Sequence, residues 1–114
     1  TALHRRVTLF LEEYEFLILP VSQVPPFPVE TEWVRDINGT EMQTYVDWMA
    51  TCYAITCTGL PAISVPCGFT PEGLPIGLQI VGRHHRDFEV LQLAYAFEQA
   101  TQHSNRRPAI VDVA

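Results

Sequence analysis

The segment from Thr58 to Gly82 reads Thr-Gly-Leu-Pro-Ala-Ile-Ser-Val-Pro-Cys-Gly-Phe-Thr-Pro-Glu-Gly-Leu-Pro-Ile-Gly-Leu-Gln-Ile-Val-Gly. Its two apolar runs, Ala62 to Val65 and Ile76 to Val81, are bounded by Gly and Pro, which end regular structure. The turn Thr70-Pro71-Glu72-Gly73 places Pro where φ near −65° is needed and Gly where positive φ costs little. Because the runs scarcely alternate with polar residues, both faces of their sheet should be covered. The segment predicts an antiparallel hairpin, about 62–81, inside a layered α/β body.

Helix and strand patterns flank this hairpin on both sides. Apolar residues at helical spacing open the chain: Leu3, Val7, Phe10 and Tyr14. The apolar run Phe16 to Pro20 predicts a strand that is buried on both faces. After the hairpin, Asp87 is the expected cap of a deeply packed helix that extends to about Phe97. This alternation of helix and strand is typical of the α/β class.

A third helix is predicted ahead of the hairpin. Apolar residues spaced three and four apart lie between Met42 and Tyr53: Met42, Tyr45, Val46, Met49, Cys52 and Tyr53. Trp48 lies beside this stripe, where an aromatic side chain either makes a second packing contact or lines a ligand pocket. Upstream, the prolines of Val24 to Phe27 require an extended segment. Residues 29–41 are expected to form a loop with a turn at Asn38-Gly39.

Composition limits the classes of partner. The 114 residues suffice for one domain, and a net charge of −6 without a basic stripe argues against nucleic acid. No apolar run is long enough to span a membrane. The chain is 47% hydrophobic and only 18% charged, so we expect part of its apolar surface to face another piece of protein.

The cysteines and the first residues indicate the compartment and the origin of the chain. Three cysteines without paired metal spacing predict free thiols, and the start has no signal-peptide pattern, so we expect a cytoplasmic protein. An opening helix without an evident cap, in a chain without an initiating Met, suggests a sequence cut from a longer one.

Nucleophilic and metal chemistry find weak support in these residues. Ser64 lies inside a predicted strand and not in a nucleophile turn, so its hydroxyl is expected to bond in or beside the strand ladder. Cys67 with His84 or His85 is the one thiol and imidazole pairing to consider. Adjacent histidines are poorly placed to bind one metal ion. All seven basic residues are Arg, which excludes a lysine base from this chain.

The ordered motifs resemble the C-terminal part of amidase signature enzymes. The resemblance rests on four segments and covers nearly the whole chain: Phe16 to Phe27, Thr58 to Gly68, Gly73 to Arg83, and the helix that ends at Glu98. The chain departs from the family pattern at Thr56-Cys57-Thr58-Gly59, where many members carry Asn-Leu-Thr-Gly. The implied architecture is a layered α/β/α fold with a mixed sheet, of which residues 1–114 would form the C-terminal portion of a single domain.

The resemblance also implies a function for the complete protein. Such enzymes hydrolyse amides with a serine nucleophile, a second serine joined by a cis peptide, a lysine base and no cofactor. This chain has no Lys and no Gly-Gly-Ser-Ser-Gly-like run, so no catalytic residue is assigned here. The turn of helix before the Gly-Leu-Pro motif approaches the family's site, which makes Trp48, Cys52 and Tyr53 candidate pocket residues. The loop Val24 to Phe27 is a further candidate.

The expected partners are the remainder of the amidase domain and, in the complete enzyme, a small-molecule amide. A homo-oligomer is also open. The alternative is a stand-alone structural or interaction module, or a split subunit, which binds a partner through an uncovered apolar face. A cysteine hydrolase based on Cys67 is the third hypothesis.

Overall fold

Three α-helices and two antiparallel sheets are present in the computed structural model, which describes residues 1–112. The helices are α1 (Ala2–Glu13), α2 (Ala50–Thr56) and α3 (Asp87–Thr101). The strands are β1 (Leu17–Pro20), β2 (Asp36–Ile37), β3 (Thr40–Glu41), β4 (Ala62–Phe69) and β5 (Pro75–Val81). Short 3₁₀ turns occupy Asp47–Met49, His103–Asn105 and Ala109–Asp112. The last two positions of the predicted 1–114 unit lie outside the described residues.

The main sheet has the strand order β1-β5-β4, and both neighbouring pairs are antiparallel. The predicted hairpin is confirmed, with Ala62 opposite Val81 and Phe69 opposite Pro75. Its turn also forms as predicted, because Gly73 has φ of +88° and its amide donates to the Thr70 carbonyl at 2.8 Å. A register shift after Pro66 marks a bulge in β4. The predicted strand at residues 16–20 is the edge strand β1.

Helices cover both faces of this sheet, as its apolar strands predicted. Successive residues of a strand point to opposite faces, so Ile80 and Val81 contact different layers. Ile80 packs with residues of α3, including Val90. Val81 packs with Leu11 of α1 and with α2 on the other face. The layered α/β/α arrangement is therefore present in this chain, with β5 at its centre.

The two helix starts differ from the prediction. Thr1 caps α1, because its side chain accepts a hydrogen bond from the His4 amide at 3.2 Å, so the expectation of an uncapped start was wrong. Asp87 is the first residue of α3 and not its cap, since Arg86 holds the cap position without a side-chain hydrogen bond. The Asp87 carboxylate still lies in the first turn, where it complements the helix dipole.

The helix predicted between Met42 and Tyr53 forms only in its second half. A 3₁₀ turn begins at Asp47 and the α-helix begins at Ala50. Tyr45 and Val46 are about half exposed, at 52% and 50%, so the apolar spacing does not produce a buried stripe there. The cause is local: the Asp47 carboxylate accepts hydrogen bonds from the backbone amides of Gln43 and Thr44 and holds this segment in a turn.

Residues 29–41 contain more regular structure than the predicted loop. Asn38 and Gly39 have φ of +52° and +81°, the left-handed conformations of a two-residue hairpin turn. They join β2 to β3, and Asp36 accepts a hydrogen bond from the Gly39 amide at 3.0 Å. The Asn-Gly turn is confirmed, and the surrounding loop is corrected to a small hairpin.

The departure from the family pattern before β4 is accommodated by hydroxyl groups. Thr58 is 2% exposed, and its hydroxyl bonds the Ile55 carbonyl at 2.5 Å and accepts from the Leu60 amide at 3.3 Å. Thr56 donates to the Cys52 carbonyl of its own helix at 3.1 Å. Thr58, and not Thr56, therefore holds the connection from α2 to β4.

The C-terminal tail packs against the tip of the β4–β5 hairpin. The guanidinium carbon of Arg106 lies 4.1 Å from the centroid of the Phe69 ring, a cation–π geometry. The His103 ring meets Phe69 edge-on, with centroids 6.1 Å apart. No helix among residues 1–112 has the length and apolar character that a membrane span requires.

Gly82 allows α3 to approach the end of β5, and this contact provides a test of the packing. A Cβ atom at position 82 would overlap Val90 Cγ2. We expect Gly82→Ala to lower the free energy of unfolding by about 1–3 kcal/mol through overpacking, measured by chemical denaturation.

Val90→Ala provides the matched control, because it removes the methyl group that the new Cβ would meet. The double variant Gly82→Ala, Val90→Ala should lose less stability than the sum of the single changes. Strict additivity would contradict the contact.

Candidate functional site

A cavity of about 320 Å³ opens between the proline-rich segment after β1, the start of α2 and the sheet. Its lining is mostly apolar and contains no charged side chain among the described residues. The lining residues are Val21, Ser22, Val24, Pro25, Pro26, Phe27, Trp48, Ser64, Pro75, Ile76 and Gly77. Small-molecule sites typically combine such an apolar lining with a few polar groups, so this cavity is the candidate site.

The segment from Val21 to Gln23 is held between β5 and α2. The Val21 amide donates to the Gly77 carbonyl at 3.4 Å. The Val21 carbonyl accepts from the Thr51 hydroxyl at 2.8 Å and from the Cys52 thiol at 3.0 Å. The Gln23 side-chain oxygen accepts from the Ala50 amide, which would otherwise be an unpaired donor at the start of α2. These bonds place the following prolines over the cavity.

A second connection ties α2 to the central strand. Gln79 is 8% exposed, and its side-chain amide donates to the Thr51 carbonyl at 3.3 Å. Thr51 thus bonds β5 through its carbonyl and the Val21 segment through its hydroxyl. Because a buried amide needs its partners, this link fixes the distance between α2 and the sheet at the cavity.

Trp48 forms one wall of the cavity within an aromatic cluster. Its ring meets Phe27 edge-on with centroids 5.4 Å apart, and it meets Tyr45 edge-on at 6.0 Å. Such edge-to-face contacts are favourable and directional. The indole nitrogen Nε1 is buried and has no hydrogen-bond partner among the described residues. The wall therefore contains an unused donor.

Asp47 holds the turn that precedes Trp48. Its carboxylate accepts from the Gln43 amide at 2.7 Å and from the Thr44 amide and hydroxyl at 2.8 and 3.0 Å. Hydrogen bonds to the charged form lower a carboxyl pKa. The Thr44 backbone amide, together with the Thr44 hydroxyl and the Gln43 amide, holds the pKa of Asp47 below its usual value.

The structure separates the three predicted pocket residues. Trp48 lines the cavity. Cys52 lies behind the lining, with its thiol bonded to the Val21 carbonyl. Tyr53 is 43% exposed and outside the lining. The further candidate, Val24 to Phe27, contributes four lining residues.

Sequence reasoning missed the contribution of the sheet to this cavity. Ser64 was expected to bond in the strand ladder, but its side chain lines the cavity beside Gly77. A Cβ atom at Gly77 would lie 3.1 Å from Val21 Cγ2 and 3.2 Å from Ser64 Oγ. The available signal was the glycine itself, since glycine within a strand often marks a close approach of another group.

The thiol and imidazole pairing is not formed. Val81 pairs with Ala62, and His84 and His85 follow Val81 at that end of the sheet. Cys67 lies five residues along β4 from Ala62, roughly 16 Å at the rise of a strand. The pairing of Cys67 with either histidine was therefore wrong. Within residues 1–112, no group of three or more His, Cys, Asp or Glu side chains gathers in a metal-binding arrangement.

The layered sheet and the cavity define a portion of an α/β/α enzyme domain. The sequence profile of the Amidase family matches residues 1–91. The chain belongs to the amidase family, which confirms the resemblance to amidase signature enzymes.

Related sequences agree with this assignment. The chain is 39% identical over 100 residues to one component of a glutamyl-tRNA(Gln) amidotransferase from Oceanobacillus iheyensis, covering 88% of this chain and 19% of that protein. It is 39% identical over 103 residues to a putative amidase of Synechocystis sp., covering 90% and 20%. The chain therefore spans about a fifth of the length of these relatives.

Solved structures show the same fold. A bacterial aryl acylamidase of the amidase signature family superposes with a TM-score of 0.80 at 28% identity, covering 93% of this chain and 23% of that one. A 6-aminohexanoate cyclic dimer hydrolase superposes with a TM-score of 0.78 at 28% identity, covering 95% and 24%.

The Asp47 turn gives a prediction for acid stability. Because its folded pKa lies below the ordinary value, Asp47 stabilises the fold above that value, and the contribution is lost as the pH falls through the folded pKa. We expect Asp47→Asn to lower the melting temperature at pH 7 and to flatten its decline in acid, measured by circular dichroism.

Glu32→Gln is the matched control, because Glu32 forms only an exposed 3.9 Å ion pair with Arg35 and such pairs contribute little. Equal pH profiles for Asp47→Asn and the unmodified protein would contradict the role of the turn.

Proposed function

We propose that the complete protein is an amide hydrolase and that this chain is its C-terminal portion. Family membership across residues 1–91 carries the proposal. Hydrolysis breaks the C–N bond of a carboxylic amide, the water oxygen joins the acyl carbon, and the nitrogen leaves protonated as ammonia or an amine. The two serines and the lysine of the family mechanism would come from the rest of the protein, since this sequence contains no lysine.

The role proposed for this chain is to support the site and to supply one wall of it. Trp48 would contact the substrate, because it lines the cavity together with the proline-rich segment. Cys52 would act through the Val21 carbonyl that its thiol contacts. Tyr53, which is 43% exposed, would contribute where the rest of the domain covers it.

The names of the related proteins support amides as the substrate class. One solved relative is an aryl acylamidase and another hydrolyses the cyclic dimer of 6-aminohexanoate. We transfer to this chain only what these names share, which is action on an amide bond. The three free thiols fit the proposed cytoplasmic location, where thiols stay reduced.

The remainder of the amidase domain is the proposed partner of this chain, and the outer edge of β1 is the proposed junction. Leu17, Ile18 and Leu19 form an apolar strand that pairs only with β5 among the described residues, and Ile18 is 52% exposed. The opposite edge strand, β4, contains Pro66 and a bulge, two features that block further pairing.

Exposed apolar side chains on α1 and α3 extend the surface that the remainder would cover. They include Leu9 and Phe10 on α1, and Phe88, Leu91 and Tyr95 on α3. Patches of this kind mark protein contacts. They also fit the second hypothesis, a stand-alone module, a split subunit or a homo-oligomer that buries the same surface in another chain.

The activity is tested with the full-length protein and with this chain alone. The full-length protein should release ammonia or amine from simple amides, and the purified 114-residue chain should release none, because the serine and lysine groups are outside it. Turnover by the isolated chain that survives replacement of its three cysteines would refute the proposal.

The junction at β1 is tested in the full-length protein by Ile18→Lys. A lysine buried against a further strand has no partner, so we expect a loss of about 3 kcal/mol in the free energy of unfolding. Leu74→Lys is the matched control, since Leu74 is 42% exposed at the hairpin tip. Equal stability of the two variants would exclude the β1 edge as the junction.

A further inference from the structure

We propose that the cavity beside Trp48 receives an uncharged, ring-sized apolar group of the substrate and that the Trp48 indole N–H donates to a neutral oxygen on that group. This inference rests on the proposed amide hydrolase function and specifies its substrate class. It follows from the unused donor, the uncharged lining and the rigidity of the cavity.

The unused donor is the observation that points to a ligand. Trp48 Nε1 is buried without a partner among residues 1–112, and its side chain lines the cavity. A buried donor without an acceptor is costly, and native structures rarely leave one unpaired. An oxygen acceptor in the cavity would satisfy it.

The lining excludes a charged group. Its side chains are aliphatic, prolyl, aromatic or hydroxyl-bearing, with no Arg, His, Asp or Glu among those described. The neighbouring Asp47 carboxylate is occupied by the amides of Gln43 and Thr44. A carboxylate or an ammonium group would therefore lose its water without gaining a counter-charge. The acceptor on the ligand should be a carbonyl, ether or amide oxygen.

The size and rigidity of the cavity favour a compact ring. Its volume of about 320 Å³ is at the lower end of the range for small-molecule sites. Pro25 and Pro26 restrict the backbone on one side. On the other side Phe27 meets the Trp48 ring edge-on, which leaves aromatic surface for a planar group. A preorganised cavity of this kind binds without a large ordering cost.

The expected selectivity is for aromatic or cyclic neutral amides over amides with a charged substituent. In the full-length protein, para-methoxybenzamide should be hydrolysed with a higher kcat/KM than para-carboxybenzamide. Trp48→Phe keeps an aromatic ring and removes the N–H donor. It should raise KM for para-methoxybenzamide about tenfold, the usual effect of one hydrogen bond, with little change in kcat or in KM for para-methylbenzamide.

Trp33→Phe is the matched control. Trp33 is the other tryptophan of the chain, and it stacks with Arg35 at 3.8 Å outside the cavity lining. Its kinetic constants should equal those of the unmodified protein. A purely structural role of Trp48 would lower the melting temperature and affect all three benzamides equally, which would overturn the proposal.

A binding experiment separates this inference from the proposed function. Full-length protein labelled with nitrogen-15 tryptophan should show a shift of the Trp48 indole N–H resonance, assigned with Trp48→Phe, when para-methoxybenzamide is added. Absence of amide turnover with this shift present would refute the proposed function alone. An unmoved indole resonance in a protein that hydrolyses amides would overturn the inference and show that the rest of the protein supplies the acceptor.

Discussion

The central strand β5 is the constraint on which the other elements depend. It is paired on both edges, and its last residues, Ile80 and Val81, are 1% and 0% exposed on opposite faces. Each face therefore needs its own helical layer, because a strand buried on both sides cannot leave either apolar surface in water. α3 covers one face and α1 with α2 covers the other. Gly82, which follows β5, lets α3 approach closely, since any larger residue would meet Val90.

The candidate cavity is a consequence of how the chain leaves β1. The segment after Pro20 cannot continue as regular strand through its prolines, and it is tied to both neighbours through the Val21 carbonyl and the Gln23 side chain. This crossing produces a space between prolines, sheet and α2 that is apolar yet not filled. Trp48 borders that space with an unpaired donor among the described residues. A fold built around buried apolar strands can thus form a ligand wall without any catalytic residue of its own.

Much of the architecture could be predicted from local pattern. Gly73 and Asn38-Gly39 marked turns that form with the expected positive φ values, because backbone sterics act within a few residues. The apolar runs at residues 62–65 and 76–81 marked strands because both faces are buried. The helix predicted from Met42 failed on the same length scale: spacing alone ignored the Asp47 side chain, which competes for the amides of Gln43 and Thr44.

The hairpin, the layered α/β class and the family could all be read from the order of the residues, because turn sterics, strand hydrophobicity and ordered motifs are properties of chain neighbours. The same holds for the lack of a lysine base in this chain. Which candidate residues meet was settled only in three dimensions. Trp48, Ser64 and Phe27 share one cavity although 37 residues of chain separate Phe27 from Ser64, while Tyr53 stays outside it and Cys67 lies far from His84. Strand pairing and loop crossing bring such residues together, and neither leaves a trace in local spacing.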